Sequence, residues 1–414
     1  MENLDTWADD KGIRVMGTGD FTHPAWFKEI ETKLRPAEPG LFKLREAYKK
    51  KTMKGTTPDT RFLLTVEISS IYSRGGKTRR VHNLVFAPDL ETARKINTHL
   101  SRIGNIASDG RPILGLDSEE LVKIVLDASP EAVVIPAHAW TPWFSVFGSM
   151  SGFNSLEECF GQYAKYIFAI ETGLSSDPAM NWRLSKLDHI ALISNSDSHS
   201  LERIGREANI FDTDLSYAGI MGALKSRDSK KFIATLEFFP EEGKYHYDGH
   251  RSCGVRWSPE ETKKSKGICP VCRKRVTVGV MSRVDDLADR SLPALQKIKF
   301  GEVNTSVFPG RTPYISLVSL DEVIGEAFNL GRATKTVKQE YEKLIRVFGS
   351  ELSILMDIPL RELEQTAKPE VTEGIRCMRK GQITIEPGYD GEFGTVRIFT
   401  DESRKNAREQ SSLF

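Results

Sequence analysis

Ile190-Ala191-Leu192-Ile193-Ser194-Asn195-Ser196-Asp197-Ser198-His199 reads as a short buried strand running into a polar turn. The turn sets a carboxylate and an imidazole two residues apart, so both can face one point, as a metal site requires. The same arrangement recurs through the first half of the chain. Val15-Met16-Gly17-Thr18-Gly19 leads to Asp20 and His23, Phe62 to Val66 leads to Glu67, and the run Val81 to Phe86 carries His82 near its start. Ala132 to Ile135 leads to His138, and Tyr166 to Ile170 leads to Glu171. In parallel α/β sheets and barrels, chemistry gathers at the carboxyl ends of strands. His, Asp and Glu collected there predict a metal-dependent enzyme, carboxylates favouring hard cations and imidazoles favouring zinc, manganese or iron.

Around these strand ends the chain alternates apolar runs with helical patterns, such as Leu90 to Ile103 and Ser118 to Leu126. That alternation predicts parallel βα units, closed or nearly closed into a barrel, over residues 1–236. Glu2 to Lys11 reads as a helix, so the chain opens on a helix with no strand before it. Residues 237–283 are polar and form a separate metal-binding segment. Residues 284–400 are expected to be mainly helical, with a helix beyond Asp285 and helices over Leu320 to Leu330, Thr336 to Phe348 and Leu352 to Glu364, the last interrupted by Pro359. The segments Gly381 to Ile385 and Gly394 to Phe399 turn β-like, and residues 401–414 are expected to be disordered.

At 414 residues the chain can build two or three cores, and a charged fraction of 28% is ordinary for a soluble globular protein. No apolar run approaches the length of a bilayer span and no signal peptide opens the chain, which predicts a cytoplasmic location and no membrane partner. Five cysteines, unevenly placed, exclude a disulfide framework. Cys159 and Cys377 are expected to be buried or inert. A net charge of +1 gives no global basic field. The positive charge is local instead: Lys49-Lys50-Lys51 with Lys54, Arg74-Gly75-Gly76-Lys77-Thr78-Arg79-Arg80, Lys263-Lys264 with Lys266, and Arg273-Lys274-Arg275. Such patches can neutralise phosphates along one face.

Two of those patches flank Cys269-Pro270-Val271-Cys272, which fifteen residues separate from His250-Arg251-Ser252-Cys253. Each half can form a knuckle presenting two ligands, and His250, Cys253, Cys269 and Cys272 together suit one closed, tetrahedral structural zinc. His246 is an alternative fourth ligand. In a segment so poor in apolar residues, the metal would supply much of the folding free energy.

Taken together, these motifs resemble the polymerase-and-histidinol-phosphatase (PHP) superfamily, and within it the endonuclease Q family. The resemblance rests on Gly17-Thr18-Gly19-Asp20-Phe21-Thr22-His23-Pro24, Thr65-Val66-Glu67-Ile68-Ser69, Val81-His82-Asn83-Leu84 and Pro136-Ala137-His138-Ala139-Trp140-Thr141-Pro142. It continues through Glu171-Thr172-Gly173-Leu174-Ser175-Ser176-Asp177-Pro178, Ser196-Asp197-Ser198-His199 and Asp248-Gly249-His250-Arg251-Ser252-Cys253. It covers nearly the whole chain in order. It implies a distorted (βα)7 PHP barrel followed by a zinc-ribbon-like insert and a mainly helical C-terminal domain. His23, Glu67, His82, His138, Asp197 and His199 would hold two or three divalent ions (zinc, manganese or magnesium), with Asp20 a ligand or a neighbour of one. Glu67, His138, Asp197 and His199 would carry the catalysis.

The implied reaction is hydrolysis of the phosphodiester 5′ to uracil, hypoxanthine, xanthine or an abasic site, the damaged nucleotide being extruded from the duplex. DNA is the implied partner, and a sliding clamp or a helicase is left open. Trp140, Trp143, Phe144, Trp182 and Arg183 either contact the nucleic acid or pack. The chain departs from the superfamily in lacking its opening His-x-His strand. The expectation is that Met1 is an internal methionine of a longer reading frame; the alternative is a lineage that has lost one metal. Two further readings stay open: a non-catalytic or helicase-associated DNA-binding protein with a degenerate site, and a small-molecule phosphoesterase.

Overall fold

The computed structural model describes residues 1–108, 110–291 and 295–399. Its largest sheet is built on a long hairpin, Arg61–Arg74 with Lys77–Ala87, paired antiparallel over its whole length. The two residues of the turn, Gly75 and Gly76, have φ of 61° and 70°. Positive φ at both central positions is what a tight hairpin turn of right-handed twist needs, and glycine adopts it without strain. On one side Lys77–Ala87 pairs antiparallel with Val133–Pro136. On the other, Arg61–Arg74 pairs in parallel with Val15–Gly17 near its start and with Ile113–Leu114 further along. Leu34–Pro36 and Phe42–Leu44 complete seven strands.

The expected succession of parallel βα units is corrected here. The segment from Arg74 to Arg80, read as a basic patch, is the tip of a hairpin, so the chain returns beside itself instead of crossing over through a helix. Ala169–Glu171 and Ala191–Ile193 form a separate parallel pair. A five-stranded sheet then follows the order Ala208–Phe211, Phe232–Glu237, Tyr314–Ser316, Val303–Val307, Gln296–Phe300, drawing strands from either side of the polar segment. Among the described residues the strands close into no barrel. Where a helix was expected beyond Asp285, Val280–Leu287 is helical and three strands follow.

The helices of the C-terminal part cover that second sheet. In Lys335–Phe348 the buried Val337, Tyr341, Leu344 and Ile345 fall on one face at helical spacing and pack with Leu236, Val303 and Ile315. The opening helix, Glu2–Lys11, is fastened to this part by a buried ion pair between Lys11 and Glu351. Tyr341 Oη donates to the same carboxylate at 2.7 Å. No helix among the described residues is long and apolar enough to cross a membrane. Cys159 and Cys377 are both buried. Residues 401–414 lie outside the described residues.

Candidate functional site

Hairpin register brings the first two site residues together. Glu67 stands opposite Leu84, and His82 stands opposite Ser69, so Glu67 and His82 are diagonal neighbours on one face. Glu67 Oε1 lies 2.8 Å from His82 Nδ1. Asn83 pairs with Pro136, which carries His138 to the same place, its Nε2 3.3 Å from Glu67 Oε1 and 3.1 Å from His82 Nδ1. A tetrahedral ion about 2.1 Å from each ligand would separate N and O ligands by roughly 3.4 Å. The donor set therefore fits a divalent ion. His138 Nδ1 lies 3.0 Å from Thr141 Oγ1, and a proton held there leaves Nε2 as the ligand atom.

The fourth corner is taken by Arg111. Its Nη1 is 2.6 Å from Glu67 Oε1 and 2.8 Å from His82 Nδ1. The parallel pairing of Ser69 with Ile113 explains the placement, since it runs Arg111 alongside Glu67. Burial by itself would raise the Glu67 pKa, but hydrogen bonds from His138 and His82 override it and hold the carboxyl well below its ordinary range. Burial lowers the His82 pKa and keeps that ring neutral. His138 is buried too, yet its bond to Glu67 overrides burial and raises its pKa.

Asp20, Asp197 and His199 line the same cavity as Glu67 and His138, a space of about 1030 Å³. They are not drawn into the compact set: among the described residues only Glu67, His82 and His138 bring ligand atoms within 4.8 Å of one another there. His199 is 74% exposed, its Nδ1 3.9 Å from Asp197 Oδ1. His23 caps the helix Pro24–Lys33, 3.5 Å from the Trp26 amide. Burial raises the Asp20 pKa and the Glu67 charge adds to the effect, so the two carboxylates sense each other. Asp20, His138 and Asp197 have φ of 47°, 28° and 42°, a left-handed backbone that side chains other than glycine rarely adopt. Glu171 braces this region. Its Oε2 accepts the His138 amide at 2.7 Å, its Oε1 accepts Asn195 Nδ2 at 2.8 Å, and burial pushes its pKa up to about 7.

The second cluster is that of the polar segment. His250, Cys253, Cys269 and Cys272 bring their ligand atoms within 4.8 Å of one another, with Cys272 Sγ 3.9 Å from the His250 ring nitrogens. Strands Asp248–His250 and Val255–Trp257 present the first half. Around the second half the Arg273 amide donates to the Cys269 carbonyl at 2.9 Å, and Arg273 has φ of 64°, the tight knuckle a Cys-x-x-Cys pair needs. Only Val255, Cys269 and Val276 form a buried core here. The four side chains fit a tetrahedral ion. His246 is not among them; it is buried elsewhere, stacked on Tyr247.

Residues 319–382 match the MJ0043 C-terminal domain family. The uncharacterized protein MJ0043 of Methanocaldococcus jannaschii is 33% identical over 67% of this chain, and the chain spans a third (33%) of that protein's length. The uncharacterized protein YqxK of Bacillus subtilis is 29% identical, over 94% of this chain and 90% of its own. Among solved structures, the lesion-specific endonuclease PfuEndoQ of Pyrococcus furiosus superposes with a TM-score of 0.81 at 28% identity, covering 100% of this chain and 94% of that one. An endonuclease Q bound to a 27-mer duplex with an abasic lesion at its active site gives 0.79 at 29% identity, over 98% of this chain and 93% of that one. The chain is closely related to endonuclease Q.

A second cavity, about 390 Å³, comes close to the cluster through Phe144. Trp143, Phe144, Lys244, Tyr245 and His246 line it, and Phe144 packs its ring 4.8 Å from that of His82. Of the five residues expected either to meet nucleic acid or to pack, only Trp143 and Phe144 line this space. Trp140 is fully buried with its Nε1 on Asn181 Oδ1 at 2.7 Å. Trp182 packs against Phe308 and Tyr314, and Arg183 pairs with Asp285. Sequence reading missed Arg111 altogether, because a lone arginine before a proline carries no signal until the register of its strand is known.

Proposed function

We propose that this chain is a metal-dependent endonuclease that hydrolyses the DNA phosphodiester 5′ to deaminated bases or abasic sites. The observation that supports it most is the gathering of Glu67, His82 and His138 into one compact cluster, two of them lining the large cavity, in a chain similar over 98% of its length to an endonuclease Q holding an abasic duplex. In this reading Glu67, His82 and His138 hold one divalent ion, and Asp20, His23, Asp197 and His199 complete the sites at the mouth. The architecture belongs to the PHP superfamily. A divalent ion bound there supplies Lewis acidity for phosphodiester hydrolysis.

The chain's own residues do the rest. The Glu67 carboxylate and the neutral His82 ring supply negative charge and a lone pair. Glu171 fixes the two loops that carry His138 and Asn195. Arg111, once parted from Glu67, can donate to a phosphate oxygen. His250, Cys253, Cys269 and Cys272 hold a structural zinc, which keeps the wall of the 390 Å³ cavity in place.

The test is nicking of a duplex containing uracil or an abasic site, with and without added divalent metal, by the parent and by Asp197→Asn. We expect the parent to nick only with metal. Asp197→Asn should fall at least about a hundredfold, the usual scale for losing a group that acts in the transition state, while still binding the duplex. A parent that binds but never nicks would favour the non-catalytic reading, which the distance of His199 from the compact cluster already makes worth testing. Nicking that survives in Asp197→Asn would place the chemistry elsewhere.

A further inference from the structure

Among the described residues the most exposed large apolar side chain is Phe393, at 71%. It lies in the turn between strands Thr384–Glu386 and Thr395–Arg397. The turn is fixed on both sides by main-chain bonds. The Gly388, Gly391 and Gly394 amides donate to the carbonyls of Glu241, Lys244 and Glu242 at 2.8, 2.9 and 3.1 Å, and the Tyr247 amide returns one to Gly388 at 2.9 Å. Asp390 anchors the tip, accepting from the Arg251 amide at 2.6 Å and from Thr277 Oγ1 at 2.5 Å. The approach is close enough that a Cβ at Gly394 would stand 2.1 Å from the Glu241 carbonyl, so only glycine serves.

A rigid turn that holds an aromatic ring out in water does nothing for folding, because the ring forfeits the burial that usually makes phenylalanine stabilising. Its position is informative. Lys244 Nζ sits 4.4 Å from the Phe393 ring and also lines the 390 Å³ cavity, whose Phe144 touches His82. Phe393 therefore neighbours, through Lys244, an aromatic-walled cavity whose Phe144 packs against His82 of the candidate metal cluster, and the lysine beside it can meet a phosphate.

We propose that Phe393 is a wedge: it enters the duplex in the space left when the damaged nucleotide swings into the cavity walled by Trp143, Phe144 and Tyr245. This rests on the nuclease reading above. Inserted apolar side chains replace lost base stacking and hold an opened step apart. The substrate recognised is then a weakly stacked nucleotide within a duplex, and a single strand gains nothing from the wedge.

The experiment compares Phe393→Ala and Phe393→Leu with the parent. The first readout is the ratio of nicking rates on duplex and single-stranded oligonucleotides carrying the same abasic site. The second is fluorescence of 2-aminopurine placed beside the lesion, read without added divalent metal so that cleavage does not occur and the structural zinc stays in place. Losing one stacking contact should lower the duplex-to-single-strand ratio about tenfold in Phe393→Ala. The fluorescence rise on binding should fall with it, and Phe393→Leu should recover part of both. An unchanged ratio, or an unchanged fluorescence rise, overturns the wedge. If the parent nicks neither substrate the nuclease reading fails, and the fluorescence comparison still decides whether Phe393 opens the step.

Discussion

Arg111 and a divalent ion cannot share the candidate metal centre. The guanidinium nitrogen lies 2.6 Å from Glu67 Oε1 and 2.8 Å from His82 Nδ1, and those two atoms are themselves 2.8 Å apart. An ion held about 2.1 Å from each of the same atoms would fall within contact distance of the arginine nitrogen and repel its charge. Metal entry must therefore break the Arg111–Glu67 pair. A hydrogen bond to a charged group contributes about 1.5–3 kcal/mol, so the competition should weaken metal affinity by roughly tenfold to a hundredfold. Arg111→Ala removes the competitor. Calorimetric titration of zinc or manganese into chelator-treated protein should show the variant binding at least about tenfold more tightly. The metal-free variant should melt at a lower temperature than the metal-free parent, because a buried carboxylate has lost its charged partner, and metal should restore it more fully. Equal or weaker affinity in Arg111→Ala would refute the competition.

Two more expectations follow from the same geometry. Cys269→Ser removes the one fully buried ligand of a segment whose core is otherwise Val255 and Val276, so the protein should lose one bound zinc and residues 241–283 should become protease-sensitive; unchanged zinc content would refute the assignment. Burial pushes Glu237 up to about 8 from the usual 4.5, so the folded state keeps a proton the unfolded chain has released; the contribution of this group to stability is full below pH 4.5 and is lost as pH rises towards 8, adding to the decline that the other buried carboxyls impose. Glu237→Gln should make that decline shallower in a series of denaturant midpoints between about pH 5 and pH 9, and a variant that declines as steeply as the parent would show that Glu237 is not a source of it.

What the sequence made legible was whatever depends on neighbours along the chain. The helix Glu2–Lys11 is found where its periodicity put it, and the spacing of Cys253, Cys269 and Cys272 foretold a cluster that the fold then assembles. Five of the seven candidate residues, Asp20, Glu67, His138, Asp197 and His199, line one cavity, and each follows an apolar run. What was illegible depends on pairing. Gly75-Gly76 is a strong hairpin signal set among arginines and a lysine, and a hairpin there is incompatible with a purely parallel barrel. Once Arg61–Arg74 and Lys77–Ala87 are a hairpin, His82 is not at a strand end at all. It is mid-strand, diagonal to Glu67, and the register rather than the strand terminus brings the two together. The segment beyond Leu287 failed in the same way, because its strand Tyr314–Ser316 is defined by a parallel partner far back in the chain, Phe232–Glu237, and the other two strands build outward from it.

The unusual backbone at the centre of the site argues that its placement is held rather than incidental. Asp20, His138 and Asp197 all take positive φ, and each such residue costs on the order of 1–3 kcal/mol and persists only where its surroundings over-determine it. Glu171 supplies that determination for two of the loops at once, one oxygen on the His138 amide and the other on Asn195, two residues before Asp197. Glu171, at the end of Ala169–Glu171 and one of the acids that follow an apolar run, turns its carboxyl group to loop backbone and amide. A carboxylate doing this, fully buried and with its pKa pushed up to about 7, is expensive to keep if the loops were free to adopt ordinary conformations. The two hydrogen bonds tie the His138 and Asp197 loops to one side chain across the cavity, and under the proposed function that is the fixed positioning which in-line attack on a phosphodiester demands.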